Sequence, residues 1–570
     1  MVASLIWALN RGFDLLDEGA YMLLYARPDD YVRLTSWYHI VTKAPALCAN
    51  AVCHYRLLGL LSRIIGAVVL AIGACSWLKR HDTTFSARHA ACLVLIAVIA
   101  NLLSYAILPQ AISYNGVSAM LLFCAGGLLL WSSNNTRRQR SANAACAIAG
   151  ICVGFCLFAK ITSAAGFFVI MPLVLIGSKA WRQQVTAFVL GVVVAVGTYF
   201  LFFDRFETWL RGLEIVLQCE AGDNNHLQGA RIIEACTEVA KFVARNALVF
   251  GPAALSFLLY RRKHKFLSLL AAVAVIGSLC YVATSHYCAR YDVLFVFGFT
   301  YLLCTLTELR READMEPKSK EYIRILIFLT AFPFCVSLGS NNPVFWHAAT
   351  NICPLAIMIV LCSIVRGGTR TPVVAATFAT LCAFLFVEGF YFHPYRLGAT
   401  MFQQSLPLAQ GKNLSGILLD PTRKQVIDQT RVCLNQGGFK ENDPILAFYD
   451  IPGLVYAVDG RSVGVEWMRS FEPNLTLFAL KQVKAINSPR LFMLVDGSMV
   501  PNFDGTAGMQ PSQKLSEPQV SYLGVAHGTP GGWPNVGSVY VYRVNDQGSL
   551  SGSRRSGDDA ASRQSLTQTR

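Results

Sequence analysis

The chain has 570 residues, of which 54% are hydrophobic and only 15% charged, too apolar for one soluble fold and characteristic of a membrane protein. Its formal charge of +15 sits largely in short connections between apolar runs, which points to membrane orientation rather than to nucleic acid. Most of the 18 cysteines are single residues inside apolar runs, with no CxxC pair and no Cys/His spacing suited to a metal.

Residues 1–10 (MVASLIWALN) hold one apolar octet, far short of the roughly 20 residues a bilayer crossing needs. No basic stretch precedes it, so it does not read as a signal peptide; it reads as the outer end of a first transmembrane helix whose beginning is missing. Next comes Asp14-Leu15-Leu16-Asp17-Glu18-Gly19-Ala20-Tyr21. Acids of this kind suit the first turn of a helix, but three within five residues beside a membrane also make a candidate acid/base site. The remainder of 11–56 is rich in aromatics (Tyr25, Tyr31, Trp37, Tyr38, Tyr55) and reads as a large outer loop with interfacial helices.

Twelve apolar spans follow, at 57–78, 89–108, 113–131, 144–158, 162–177, 187–203, 246–260, 266–284, 291–307, 322–338, 347–365 and 372–391. The pair at 144–177 is interrupted at Lys160-Ile161-Thr162, as two tilted helices or a broken re-entrant unit would be. Six connections (79–88, 132–143, 178–186, 261–265, 308–321, 366–371) carry two or more basic residues each and alternate with connections of which 109–112, 159–161, 286–290 and 339–346 carry one or none. The positive-inside rule places those six in the cytoplasm, and the acidic loop, the loop 204–245 and everything after 391 outside. With a completed first helix the total is about thirteen.

The tail changes character. Residues 423–436 have helical spacing, PILAFY (444–449), RLFMLV (490–495) and SVYVYRV (538–544) read as strands, and Pro452-Gly453 and Asp459-Gly460 mark turns. The expected fold is therefore a polytopic α-helical membrane protein of about 12–13 transmembrane helices with a small extracytoplasmic α/β domain at 392–544. The Ser/Arg/Gln/Asp-rich run 545–570 is expected to be disordered.

Four short motifs carry a resemblance: FDLLDEGAY in the first outer loop, SYNGVSAMLLF opening a helix, GICVGFCLFAKITSAAGFF with its Lys160, and SLGSNNPVFW. With these, the chain resembles the GT-C glycosyltransferases over roughly residues 10–395. These are polytopic enzymes that use polyprenyl-phosphate sugars and include the protein O-mannosyltransferases and lipid A aminoarabinose transferases. The family places a complete helix before the acidic loop, and this chain departs from it there. The resemblance implies a bacterial inner-membrane enzyme with its active face outside, moving a sugar from a polyprenyl-phosphate donor to a glycan, lipid or protein acceptor.

Such a transfer needs a base for the acceptor proton, stabilisation of an oxocarbenium-like centre and cations for the departing phosphate. Asp17 and Glu18 are the candidate catalytic carboxylates, supported by Asp14 and Tyr21. Lys160, His286, Arg290 and Arg396, all on the outer side by the loop charges, are candidates for the donor phosphate, with Asn115 and Asn342 in support. A divalent cation on Asp17 and Glu18 stays open, although two adjacent carboxylates without a His cluster fall short of a site. Two rival readings are a secondary transporter or lipid flippase, which would bind at mid-membrane between repeats, and a non-catalytic assembly subunit.

Overall fold

The computed structural model describes residues 1–28, 30–31, 38–82, 85–133, 139–176, 178, 180–222, 236–247, 289–311, 317–339, 342–366, 368–448, 450–468, 490–497, 520–527 and 538–544. A short helix α1 (Val2–Trp7) leads into the acidic segment, which opens α2 (Asp17–Ala26). After α3 (Tyr38–Thr42) the chain enters α4 (Ala51–His81), a 31-residue helix whose first turn is capped by Asn50, the side chain accepting from Cys53 N at 3.1 Å. Helices α5 (Ala87–Leu102, extended by a 3-10 turn to Ala106), α6 (Tyr114–Ser133), α7 (Gln139–Ala159), α8 (Ile161–Ile170), α9 (Pro172–Leu175), α10 (Trp181–Phe202) and α11 (Phe206–Gly222) follow. Beyond them come α12 (Asp292–Arg311), α13 (Pro317–Ser337), α14 (Val344–Ala349), α15 (Cys353–Val365) and α16 (Thr371–Val387), which unwinds through a π turn at Glu388–Phe392.

Among the described residues, seven helices are long and apolar enough to cross a membrane: α4, α5 with its extension, α6, α7, α10, α12 and α16 with its π turn. The protein is thus a polytopic α-helical membrane protein. Its helices approach closely where small residues meet: a Cβ on Gly73 would collide with Gly127 of α6, and one on Gly150 with the backbone of Phe188 in α10. In lipid this packing of backbone on backbone holds helices together where water cannot drive them. The apolar side chains of α10 that stay exposed, Val193, Val194 and Leu201 among them, suit a lipid-facing surface.

The expected spans fall on described helices except 246–260 and 266–284, which lie outside the described residues apart from 246–247, which are helical. Two spans are broken rather than continuous. The 162–177 span divides at Met171, where Pro172 starts α9, and the 347–365 span is α14 plus α15, with Pro354 in the first turn of α15. Helix α15 is buried from Cys353 to Ile364, so its continuous apolar run reflects a central position rather than contact with lipid.

The C-terminal α/β domain has a β1 (Leu406–Pro407) and β2 (Leu418–Leu419) pair, then α17 (Pro421–Gln436), β3 (Pro444–Phe448), α18 (Pro452–Ala457), β4 (Arg461–Ser462), β5 (Leu491–Asp496), β6 (Val520–His527) and β7 (Ser538–Val544). The five-stranded sheet has the order β4-β3-β5-β7-β6, parallel where β3 pairs with β4 and β5, antiparallel where β7 pairs with β5 and β6. The 545–570 tail lies outside the described residues. One hydrophobic core joins this domain to the acidic segment, with Phe13, Leu15, Met22 and Leu23 packed among Ile427, Leu434, Ile445 and Tyr456. Backbone bonds stitch the same seam: Gly12 N donates to Leu418 O at 2.8 Å, Leu418 N to Asn10 O at 2.8 Å and Gly453 N to Leu15 O at 2.7 Å. Gly19 and Gly453 lie so close that a side chain on either would enter backbone, which is why both are glycine.

Candidate functional site

The three acids have three different surroundings. Asp14, 2% exposed, accepts from Leu16 N (3.0 Å) and Glu18 N (3.2 Å), while Glu18 Oε2 accepts from Asp14 N at 3.2 Å. Asp14 thus supplies an acceptor for a free N–H group in the first turn of α2, and Glu18 returns a bond to the loop before it. Glu18 is clamped by Arg56 of α4, which donates from Nε to Oε1 at 2.8 Å and from Nη2 to Oε2 at 2.7 Å. The same guanidinium donates to the carbonyls of Leu9 (2.9 Å), Arg11 (3.0 Å) and Gly12 (2.7 Å). Arg56 therefore fastens the whole acidic segment to α4.

Asp17 is the acid left half-buried. Tyr395 Oη donates to its Oδ2 at 2.7 Å, and Arg396 Nη1 lies 3.1 Å from Oδ1. Both partners follow the π turn that ends α16. Arg396 holds a left-handed backbone conformation, φ 52°, uncommon for a side-chain-bearing residue, and its carbonyl accepts from Arg423 Nη2 at 2.5 Å. Burial alone would lower Arg396, but the carboxylate of Asp17, with Tyr395 and Asp14, more than reverses this and holds it above its ordinary value. Tyr21 and Tyr395 are raised well above the usual phenol range, by burial first and then by Asp17.

Burial pushes the Asp14 carboxyl from 3.8 up to about 6, with Arg396 opposing and Asp17 adding to the rise. A carboxyl whose folded value is raised favours the protonated fold, so its contribution to stability is complete below about pH 4 and is lost as pH rises through about 6. Asp14→Asn is accordingly expected to flatten the fall in thermal midpoint between pH 4 and 6. An unchanged slope would remove Asp14 as its source.

A second polar cluster lies where two broken helices meet. Lys160, the extended residue between α7 and α8, donates to Asn115 Oδ1 at 3.0 Å, with Val336 O at 3.4 Å, His347 Nε2 at 3.4 Å and the Tyr114 ring centroid at 5.7 Å. Beside it Arg63 of α4, 4% exposed, reaches Thr350 O (3.1 Å) and Asn351 Oδ1 (3.3 Å) in the break between α14 and α15. Among the described residues Lys160 and Arg63 meet only neutral acceptors. Tyr114, whose ring faces Lys160, packs against the same hydrophobic core as Tyr21.

The structure brings Asp14, Asp17, Glu18, Tyr21 and Arg396 together, and joins Asn115 to Lys160. It leaves other candidates apart. Arg290 pairs with Glu388 at the π turn, Asn342 stands exposed before α14, and His286 lies outside the described residues. Both Glu18 oxygens are engaged by Arg56, and Asp17 faces Tyr395 and Arg396. Among the described residues no group of three His, Cys, Asp or Glu suits a metal ion. Sequence reasoning missed Arg56, Arg63, Tyr395, His347 and Arg423. The available signal was two arginines seven residues apart in one apolar helix, expensive in a membrane unless they have a task.

No family model and no curated protein matches the chain. Among solved structures it is similar to an oligosaccharyltransferase of Archaeoglobus fulgidus, in complex with Zn and sulfate, at 12% identity and a TM-score of 0.40 over 86% of this chain and 63% of that one. The chain thus spans less than two thirds of that enzyme's length. It is also similar to ArnT from Cupriavidus metallidurans bound to undecaprenyl phosphate, at 13% identity and a TM-score of 0.38 over 97% of this chain and 98% of that one.

Proposed function

We propose that the chain is a membrane glycosyltransferase that moves a sugar from a polyprenyl-phosphate donor to an acceptor on the outer face of the membrane. The observation that carries this reading is Asp17, a half-buried carboxylate held between Tyr395 and Arg396 under the α/β domain. In this role Asp17 takes the acceptor proton. Arg396 and Tyr395 fix its direction, while Glu18 holds the loop through Arg56 instead of entering the chemistry. Lys160 offsets the charge of the departing phosphate, and Asn115 keeps its ammonium in place. The carrier is of the undecaprenyl phosphate class, and the six basic connections lie in the cytoplasm.

Purified protein offered polyprenyl-phosphate sugars and nucleotide sugars is expected to consume only the former, with Lys160→Ala weakening donor binding. Turnover of a nucleotide sugar without lipid would overturn the mechanism. The transporter reading draws on one feature, the buried cations at two helix breaks, because transporters place their sites at such breaks. Movement of lipid or solute across vesicles with no sugar transferred would favour it.

A further inference from the structure

Helix α4 runs from Arg56 at the carboxylate cluster to His81, a separation of about 38 Å at the usual helical rise. At that far end, among the basic connections, a cavity of about 120 Å³ opens between the last turn of α4, the end of α6, the α9 region and the first turns of α13. Arg80, His81, Glu321 and Arg324 bring charge to it. Glu321 is already engaged, its Oε2 lying 2.6 Å from His81 Nε2, and Arg324 Nη2 stands 3.9 Å from Oε1, beyond hydrogen-bond reach. Arg80 Nη1 donates to Ser133 O at 3.1 Å. The Nε of Arg324 is shut off from solvent and has no hydrogen-bond partner among the described residues.

The α4 dipole accounts for Arg80 and His81, since cations are favoured in a C-terminal turn. It does not account for Arg324, which lies in the N-terminal half of α13. With its side chain 27% exposed and its nearest carboxylate oxygen among the described residues at 3.9 Å, Arg324 offers the cavity a guanidinium that an anion can engage. The cavity holds several waters or one tetrahedral oxyanion, and forked guanidinia match phosphate oxygens. We propose that this cavity binds a phosphate-bearing anion, between Arg80 and Arg324, at the headgroup level of the leaflet beside it. The occupant is a phospholipid headgroup or a soluble phosphate, and the two sources separate experimentally.

The full chain in detergent micelles would be titrated with phosphatidylglycerol, with a phosphate-free diacylglycerol glycoside and with inorganic phosphate, reading bound ligand by native mass spectrometry and the thermal midpoint. Phosphatidylglycerol should bind and raise the midpoint, the neutral glycolipid should not, and Arg324→Gln should weaken the phospholipid at least about tenfold. Inorganic phosphate binding alone with the same dependence on Arg324 would assign the site to a soluble phosphate. Glu321→Gln removes the competing carboxylate and should tighten phosphatidylglycerol severalfold, which keeps the test open should Arg324→Gln fail to fold. Equal phospholipid binding by wild type and Arg324→Gln, an unchanged affinity in Glu321→Gln, or no binding of either anion would overturn the proposal.

Discussion

Asp17→Asn is expected to lower sugar transfer by about 10²- to 10⁴-fold, the usual loss when a general base is removed, with the protein still inserted and its thermal midpoint lowered only as far as the loss of the Arg396 partner requires. The substitution changes almost nothing in shape. Asparagine keeps an oxygen to accept from Tyr395, which now donates at 2.7 Å, and it matches the aspartate in volume. What disappears is the negative charge beside Arg396 and the capacity to take a proton. The neighbouring acids cannot substitute: Asp14 spends both oxygens on the N–H groups of Leu16 and Glu18, and Glu18 spends both on Arg56. The measurement is transfer from a polyprenyl-phosphate sugar by the purified variant, with midpoint and detergent elution as controls. Wild-type turnover would refute the role of Asp17.

Much of the fold could be read from the sequence because a bilayer imposes one strong rule: long apolar runs become helices. The break at Lys160 was legible for the same reason, since a cation cannot sit casually between two apolar runs. What escaped was long-range. The string Asp17-Glu18-Gly19 reads the same whether or not an arginine 38 residues on takes the glutamate, so the sequence alone does not reveal the Arg56 clamp on Glu18. Nothing local to Gly19 announces that Gly453 will lie against it, and the sharing of a core between the acidic segment and the C-terminal domain was hidden with that contact. Strand β6 was missed because Gly524, at φ 151° beside a register shift, breaks the alternation that marks a strand. Strands β3, β5 and β7 are apolar enough to stand out regardless.

The Arg56–Glu18 pair separates fastening from chemistry, and its removal is expected to have the largest effect on stability. The side chains are 1% and 2% exposed, so neither charge has water to fall back on. Arg56→Gln leaves Glu18 as an unpaired buried carboxylate and strips donors from the carbonyls of Leu9, Arg11 and Gly12. The expected cost is about 3–5 kcal/mol, as for breaking a buried pair from one side, together with loss of transfer as the loop bearing Asp17 loosens. Glu18→Gln alone leaves the opposite charge unpaired and should also be severe. In the double variant no buried charge remains uncompensated, so its loss of stability should fall well short of the sum of the two single losses. Thermal or denaturant unfolding of the four proteins in one detergent gives the coupling, and transfer assays on the same samples give the chemistry. If Glu18 acts only by holding the loop, the double variant should recover activity in step with stability. A double variant that regains its fold and stays as inactive as Asp17→Asn would return Glu18 to the catalytic group.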